Sequence, residues 1–202
     1  MKKILALLIC ILAIPASAAT DHKAVLKQQI KQLSTFEADF SQRVIDVDGQ
    51  ELMQGKGKVH LSHPSLIRWH AVEPDENLMI SDGDTLWIYN VDLEQATAMS
   101  AKQAIDSTPF ALLASHDDAL WDNYQVSKDD EAFVITPIKQ GGQVKQLSIY
   151  FKNQQFSCLV IEDLSLQKSE FTFSESQANR KLAKKLFAFT LPEGVDLDDQ
   201  RN

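Results

Sequence analysis

The stretch from Pro64 to Tyr89, PSLIRWHAVEPDENLMISDGDTLWIY, leaves this chain few folds to choose from. Its three apolar runs are Leu66–Trp69, Leu78–Ile80 and Leu86–Tyr89. Between them stand Glu73-Pro74-Asp75-Glu76-Asn77 and Ser81-Asp82-Gly83-Asp84. Short β-prone runs punctuated by Pro, Gly, Asn and Asp predict an antiparallel meander. The strands carry large apolar side chains and no catalytic signature. Such a sheet either packs a core or offers apolar surface to a ligand, and this stretch alone leaves both readings open.

The N-terminus reads as a targeting segment. Lys2 and Lys3 precede an apolar run from Ile4 to Ile14, and Ala16-Ser17-Ala18 is a small-x-small cleavage site. The run is too short to span a bilayer. Residues 1–18 are therefore expected to be a cleaved signal peptide, with 19–202 as one secreted, soluble domain. Cys10 lies inside the apolar run after Ile9, so the Ala-Ser-Ala site explains the segment better than a lipoprotein anchor does. Cleavage moves the formal net charge from −8 to −10. That acidity argues against nucleic acid and against an anionic membrane surface. Only Cys158 remains, so no internal disulfide can form and the core alone must hold the fold. Cys158 sits in an apolar run and reads as a small buried hydrophobe.

Leu26, Ile30 and Leu33 repeat at helical spacing, with Thr20 or Asp21 available as cap, and predict a helix over 21–33. The period then switches to two: Phe36, Ala38, Phe40 and Val44 alternate with polar residues. Asp48-Gly49 is a hairpin turn, and Leu52 to Leu61 returns, with Gly55 and Gly57 permitting a bend or bulge. After the meander a strand is expected over 93–99. In Ala101–Ala114, Thr108 and Pro109 announce a helix start, and Phe110-Ala-Leu-Leu-Ala is apolar nearly all round. A helix that short needs another apolar surface, and the open sheet face is the obvious one. Further strands are expected over 124–126, 133–138, 144–151, 156–166 and 168–174. A short helix over 181–186, a last strand through Phe187, Phe189 and Leu191, and a turn-like acidic tail follow. About ten strands with few helices predict a mainly β protein, a curved antiparallel sheet or barrel.

Catalytic signatures are missing. His60 and His63 form H-x-x-H, but on a strand those positions face opposite ways. His22 and His116 read as surface residues, and His63 and His70 have no nucleophile beside them. There is no G-x-S-x-G, P-loop or dinucleotide-binding pattern, and Asp196, Asp198 and Asp199 do not make a calcium loop. No metal or cofactor is expected, and a binding protein is favoured over an enzyme.

Ordered features over the whole chain resemble the LolA family of outer-membrane lipoprotein carrier proteins. They are Phe36-x-Ala38-x-Phe40-x-Gln42, Gly55-x-Gly57, Pro64 with Arg68-Trp69, Pro74, and Ser81-Asp82-Gly83-x-x-Leu86-Trp87-x-Tyr89. Glu94-Gln95-Ala96-Thr97, Thr108-Pro109-Phe110 and Asp198-Asp199-Gln200-Arg201 complete the set. The resemblance implies an unclosed antiparallel β-barrel under an α-helical lid, with lid helices at about 20–34 and 101–115. It also implies a non-enzymatic, cofactor-free periplasmic chaperone, monomeric, that binds the acyl chains of lipoproteins. Such a carrier would take its cargo from the inner-membrane ABC transporter LolCDE and deliver it to the outer-membrane acceptor LolB. The alternative is a periplasmic carrier of free lipid or another small hydrophobic ligand. The implied cavity and lid contacts are Leu26, Ile30, Phe36, Phe40, Ile67, Trp69, Ile80, Leu86, Ile88, Phe110, Leu113 and Ile149. The family latches its lid with an arginine just before the proline. Here that position is His63, which predicts a looser latch or one moved to Arg68.

Overall fold

The computed structural model describes residues 20–101, 112–114, 118–139 and 142–201. Helix α1 (His22–Lys31) starts where the Asp21 carboxylate accepts the backbone N–H of Ala24 at 3.0 Å. It buries Leu26 and Ile30. Twelve strands follow: β1 (Thr35–Ile45), β2 (Glu51–Ser62), β3 (Leu66–Glu73), β4 (Asn77–Asp82), β5 (Thr85–Asn90), β6 (Gln95–Ser100), β7 (Tyr124–Asp129), β8 (Ala132–Pro137), β9 (Val144–Lys152), β10 (Gln155–Asp163), β11 (Lys168–Ala178) and β12 (Asp196–Asp199). They form one sheet in the order β12-β6-β5-β4-β3-β2-β1-β11-β10-β9-β8-β7. The two ends of that order do not pair, so the sheet curves into an unclosed half-barrel. The expected meander is β3–β4–β5, each strand antiparallel to the next.

The C-terminus departs from expectation in two ways. Phe187, Phe189 and Leu191 do not form a strand. A 3-10 helix, Lys184–Phe187, leads into irregular chain that crosses the sheet. Phe187 is buried, and the Phe189 ring lies 5.1 Å from that of Trp87 and 5.8 Å from that of Tyr89. The apolar alternation there reflects packing across β5, not pairing along a ladder. The tail, expected to be turn-like, forms β12 parallel to β6, so the sheet is mixed and not wholly antiparallel. All four β12 residues are exposed, which removes the period-two signal. A 3-10 helix at Asp118–Asn123, with Trp121 buried, was also not anticipated.

Of the apolar segment expected over 101–115, only 101 and 112–114 lie among the described residues; Thr108, Pro109 and Phe110 lie outside them. Leu112, Leu113 and Ala114 are buried in the main core.

The glycine pair in β2 has a specific reason. A Cβ at Gly57 would stand 2.1 Å from the His70 carbonyl oxygen and 2.6 Å from the Phe40 ring. Glycine alone lets the Phe40 ring and β3 approach this closely. The register between β2 and β3 shifts at Lys56/Gly57, leaving Val72 without a partner. Pairing of β2 with β1 runs through Gly55 and Gly57 without a break, so the alternation of β2 is not inverted.

Candidate functional site

Cross-strand register assigns every side chain to a face, because directly paired residues project to the same side. Phe36, Ala38 and Phe40 pair with Leu61, Val59 and Gly57. Leu61 and Val59 pair with Ile67 and Trp69, which pair with Ser81 and Met79, which pair with Leu86 and Ile88. In the other direction Phe40 pairs with Phe173, Phe171 with Leu159, and Leu159 with Ile149. One face of the sheet is thus apolar from β5 round to β8.

Its aromatic rings touch in sequence. The Trp69 ring is 4.5 Å from Phe40 and 4.9 Å from Phe171, edge-on in the second case. Phe40 and Phe171 are 5.7 Å apart. Trp69 reaches Phe173 at 6.3 Å, Phe173 reaches Phe36 at 5.6 Å, and Phe36 meets Phe156 edge-on at 5.2 Å. Phe156 then stacks on Phe151 at 4.9 Å, and Phe151 meets Phe133 at 6.0 Å. These offset and edge-to-face arrangements are the favoured ones for aromatic pairs.

Two segments cover this inner face. Helix α1 lays Leu26 and Ile30 on it, and 112–114 adds Leu112, Leu113 and Ala114. Few polar links hold the cover. His63 Nδ1 donates to the Ala114 carbonyl at 2.8 Å. Lys27 pairs with Asp118 at 2.5 Å, and Lys23 Nζ donates to the Trp121 carbonyl at 3.0 Å. The Lys27 ammonium, first by its hydrogen bond and then by its charge, holds the Asp118 carboxyl below the usual aspartate range. The far end of α1 is anchored: Asn179 Oδ1 accepts from Ser34 N at 2.7 Å, and Asn179 Nδ2 donates to the Gln32 carbonyl at 3.0 Å.

The implied site residues fall into distinct groups. Leu26, Ile30, Phe36, Phe40, Ile67, Leu113 and Ile149 join one buried cluster, and Trp69 packs against it. Leu86 and Ile88 share the inner face by register but stand outside that cluster. Phe110 lies outside the described residues.

Two assignments need correction. Ile80 pairs with Arg68 and Trp87, so it projects to the outer face, opposite Ile67 and Leu86. It is buried there, where the 3-10 helix Lys184–Phe187 lies against β3 and β4. Arg68 also points outward, and its Nη1 donates to the Leu186 carbonyl at 3.3 Å. It therefore ties down the C-terminal segment and does not reach the inner cover. His60, also on the outer face by register with Arg68, is pushed below its usual pKa chiefly by burial, with Glu37 opposing. Cys158 is outward too, by register with Thr172, and burial pushes its thiol up. It is a free, half-buried thiol.

Phe133, Phe151, Phe156, Phe171 and Phe173 were absent from the implied site, although they supply more than half of the aromatic run. In the strand expected over 168–174, alternation puts Phe171 and Phe173 on one face. What it lacked was the sign of that face, which only the β1–β11 register supplies.

Among the described residues the arrangement brings no nucleophile to a base. It presents a continuous apolar wall under a cover held by a handful of polar contacts. Such a wall has the apolar lining that ligand cavities need.

Comparison with known proteins identifies the family. The pattern of the family described as outer membrane lipoprotein carrier protein LolA matches residues 31–190. A protein of Pseudoalteromonas translucida named outer-membrane lipoprotein carrier protein is 42% identical over 206 residues, spanning 100% of this chain and 99% of the relative. One of the same name from Aliivibrio fischeri is 39% identical over 202 residues, spanning 100% of both. Among solved structures, a LolA superfamily protein from Nitrosomonas europaea shares the fold, with TM-score 0.50 at 13% identity over 85% of this chain and 99% of that one. An uncharacterized conserved protein from Thermus thermophilus does so at TM-score 0.52 and 13% identity, over 88% and 98%. The chain belongs to the LolA family of outer-membrane lipoprotein carrier proteins.

Proposed function

We propose that this chain is a periplasmic chaperone that shields the acyl chains of lipoproteins against its inner face and carries them to the outer membrane. The observation that carries this reading is the continuous aromatic wall from Trp69 to Phe133 beneath helix α1 and 112–114. Family membership supports it, since the relatives are named for this task. Residues 1–18 act as a cleaved signal peptide, and 19–202 form the single working domain. The protein transports and does not catalyse. It receives cargo from LolCDE, hands it to LolB and works as a monomer.

The physics of release explains the thin latch. Each buried CH₂ contributes about 0.8 kcal/mol, so complete burial of several acyl chains amounts to tens of kcal/mol. A carrier that buried them fully could not let go. Here Leu26, Ile30, Leu112 and Leu113 compete for the same wall. Closing the cover recovers part of what is lost when cargo leaves. In this reading His63 is the latch: its hydrogen bond to Ala114 holds the cover to the β2–β3 turn.

The test is to incubate the mature protein with spheroplasts of a Gram-negative bacterium. Lipoprotein appearing in solution in a one-to-one complex is the expected result. No release, with free fatty acid or phospholipid bound instead, would overturn the lipoprotein reading in favour of a lipid carrier.

A further inference from the structure

The strand registers divide the hairpin turns between two ends of the half-barrel. One end carries the turns β1–β2, β3–β4, β5–β6, β8–β9 and β10–β11. The opposite end, where His63 meets Ala114, carries β2–β3, β4–β5, β7–β8 and β9–β10. Among the described residues, all the exposed large aliphatic side chains except Val25 on α1 and Leu197 on β12 follow this division. Every turn at the first end has one in it or within two residues of it. Val47 and Leu52 flank β1–β2, Val72 adjoins β3–β4, and Leu93 sits in β5–β6. Ile138 opens β8–β9, and Leu164 and Leu166 stand in β10–β11. Val47 is 65% exposed, Leu93 64% and Leu164 66%. The four turns at the other end carry none among the described residues.

Turns normally hold small polar residues that satisfy local backbone groups, so five aliphatic turns in one row are not a by-product of turn chemistry. Backbone hydrogen bonds tie neighbouring turns together in two places: Val91 N donates to the Glu76 carbonyl at 3.0 Å, joining the β5–β6 turn to the β3–β4 turn. Leu164 N donates to the Gln143 carbonyl at 3.0 Å, tying the β10–β11 turn to the β8–β9 turn. Asp48, Asp75, Asp92 and Glu94 stand exposed in or beside these same turns, against the exposed Lys139 and Lys168 at the β8–β9 and β10–β11 turns, so the row is acidic on balance. An apolar row edged with polar charge is the signature of an interaction site.

We propose that this end of the half-barrel docks a protein partner whose contact surface is apolar and edged with Lys or Arg. The carboxylates decide the occupant. An anionic bilayer would repel them, and a second copy would set like charge against like. The inference rests on the carrier reading and adds to it a docking end remote from the His63 latch.

The test uses two variants of the mature protein, Val47→Ser/Leu164→Ser/Leu166→Ser and Asp48→Lys/Asp92→Lys. Each is measured for binding of a fluorescent dipalmitoyl-cysteinyl peptide and for lipoprotein release from spheroplasts. Both are expected to bind the lipopeptide within two-fold of wild type. The serine variant slows release at least ten-fold at any salt. The charge variant slows it at low salt and recovers as salt rises. Unchanged release in both variants overturns the proposal. So does wild-type flotation with phosphatidylglycerol vesicles, or a wild-type dimer in sedimentation, that the serine variant abolishes. Wild-type protein that binds no lipopeptide overturns the carrier reading itself.

Discussion

The two faces of this sheet are covered in opposite ways. On the outer face the C-terminal segment is woven into the structure. The 3-10 helix Lys184–Phe187 buries Phe187, Arg68 bonds its Leu186 carbonyl, and β12 adds a ladder to β6. Asp196 N reaches the Glu94 carbonyl and Gln200 N the Ala98 carbonyl, at 2.9 and 2.7 Å. Arg201 lies over the Trp87 ring at 5.1 Å and pairs with Asp199, whose carboxyl it pulls down to about 2. On the inner face the cover shares no ladder with the sheet among the described residues. It rests chiefly on apolar contact, with the His63–Ala114 and Lys23–Trp121 hydrogen bonds, the Lys27–Asp118 ion pair and the Asn179 bonds at the end of α1 as its polar links. A cover bound through backbone hydrogen bonds comes off when the fold does. One bound through apolar contact can leave alone, at a free energy set by those contacts.

The largest expected effect comes from Phe187→Ala. Truncating this buried ring should remove about 3 kcal/mol of global stability, seen as a lower urea midpoint. Exposure of apolar surface to bis-ANS by the folded protein should not change. If dye binding rises at constant stability, the outer cover also opens independently and the contrast fails.

Leu26→Ala sharpens the same contrast from the other side. Leu26 is fully buried in the inner cover. The loss of about 2 kcal/mol should appear first as dye binding under native conditions, with a smaller shift of the urea midpoint than Phe187→Ala gives. Equal midpoint shifts would mean that α1 unfolds only with the sheet.

His63→Ala removes the bond to Ala114. At about 1 kcal/mol for such a bond, the open population should rise roughly five-fold, measured by protection of α1 amides from hydrogen exchange. His63→Arg should tighten closure and slow cargo loading. Unchanged exchange in both variants would move the latch elsewhere.

The smallest effect is electrostatic. Lys27 depresses the Asp118 pKa, so this ion pair favours closure fully above about pH 3.8 and loses that contribution as pH falls through the lower folded value. Dye binding should therefore rise on acidification through that window, and Asp118→Asn should flatten the rise while raising dye binding slightly at neutral pH. The pair is exposed, so salt should weaken it as acid does.

The amphipathic period of 21–33, the hairpin at Asp48-Gly49 and the meander of Pro64–Tyr89 are local patterns, and each became the element it announced. Local chemistry was enough because helix caps, turn residues and period-two alternation act within a few residues. The apolar character of the wall was legible for the same reason. Which side of each strand forms it was not. Leu78-Met79-Ile80 has three apolar residues in a row, because β4 is covered on both faces, and alternation then has no sign. Ile80 went to the wrong face on that account, and so did the idea of Arg68 as a latch.

By itself the sequence determined helix α1, the hairpin and meander strands, and the apolar residues from which a wall could be built. Only the tertiary structure decided that β1 would pair with β11, bringing Phe40, Phe171 and Trp69 together across more than a hundred residues of chain. Register between distant strands is chosen by burial of the whole face at once, and no short window of residues contains that information. The same holds for β12, an exposed strand without apolar alternation that exists because the edge of β6 was left to be paired.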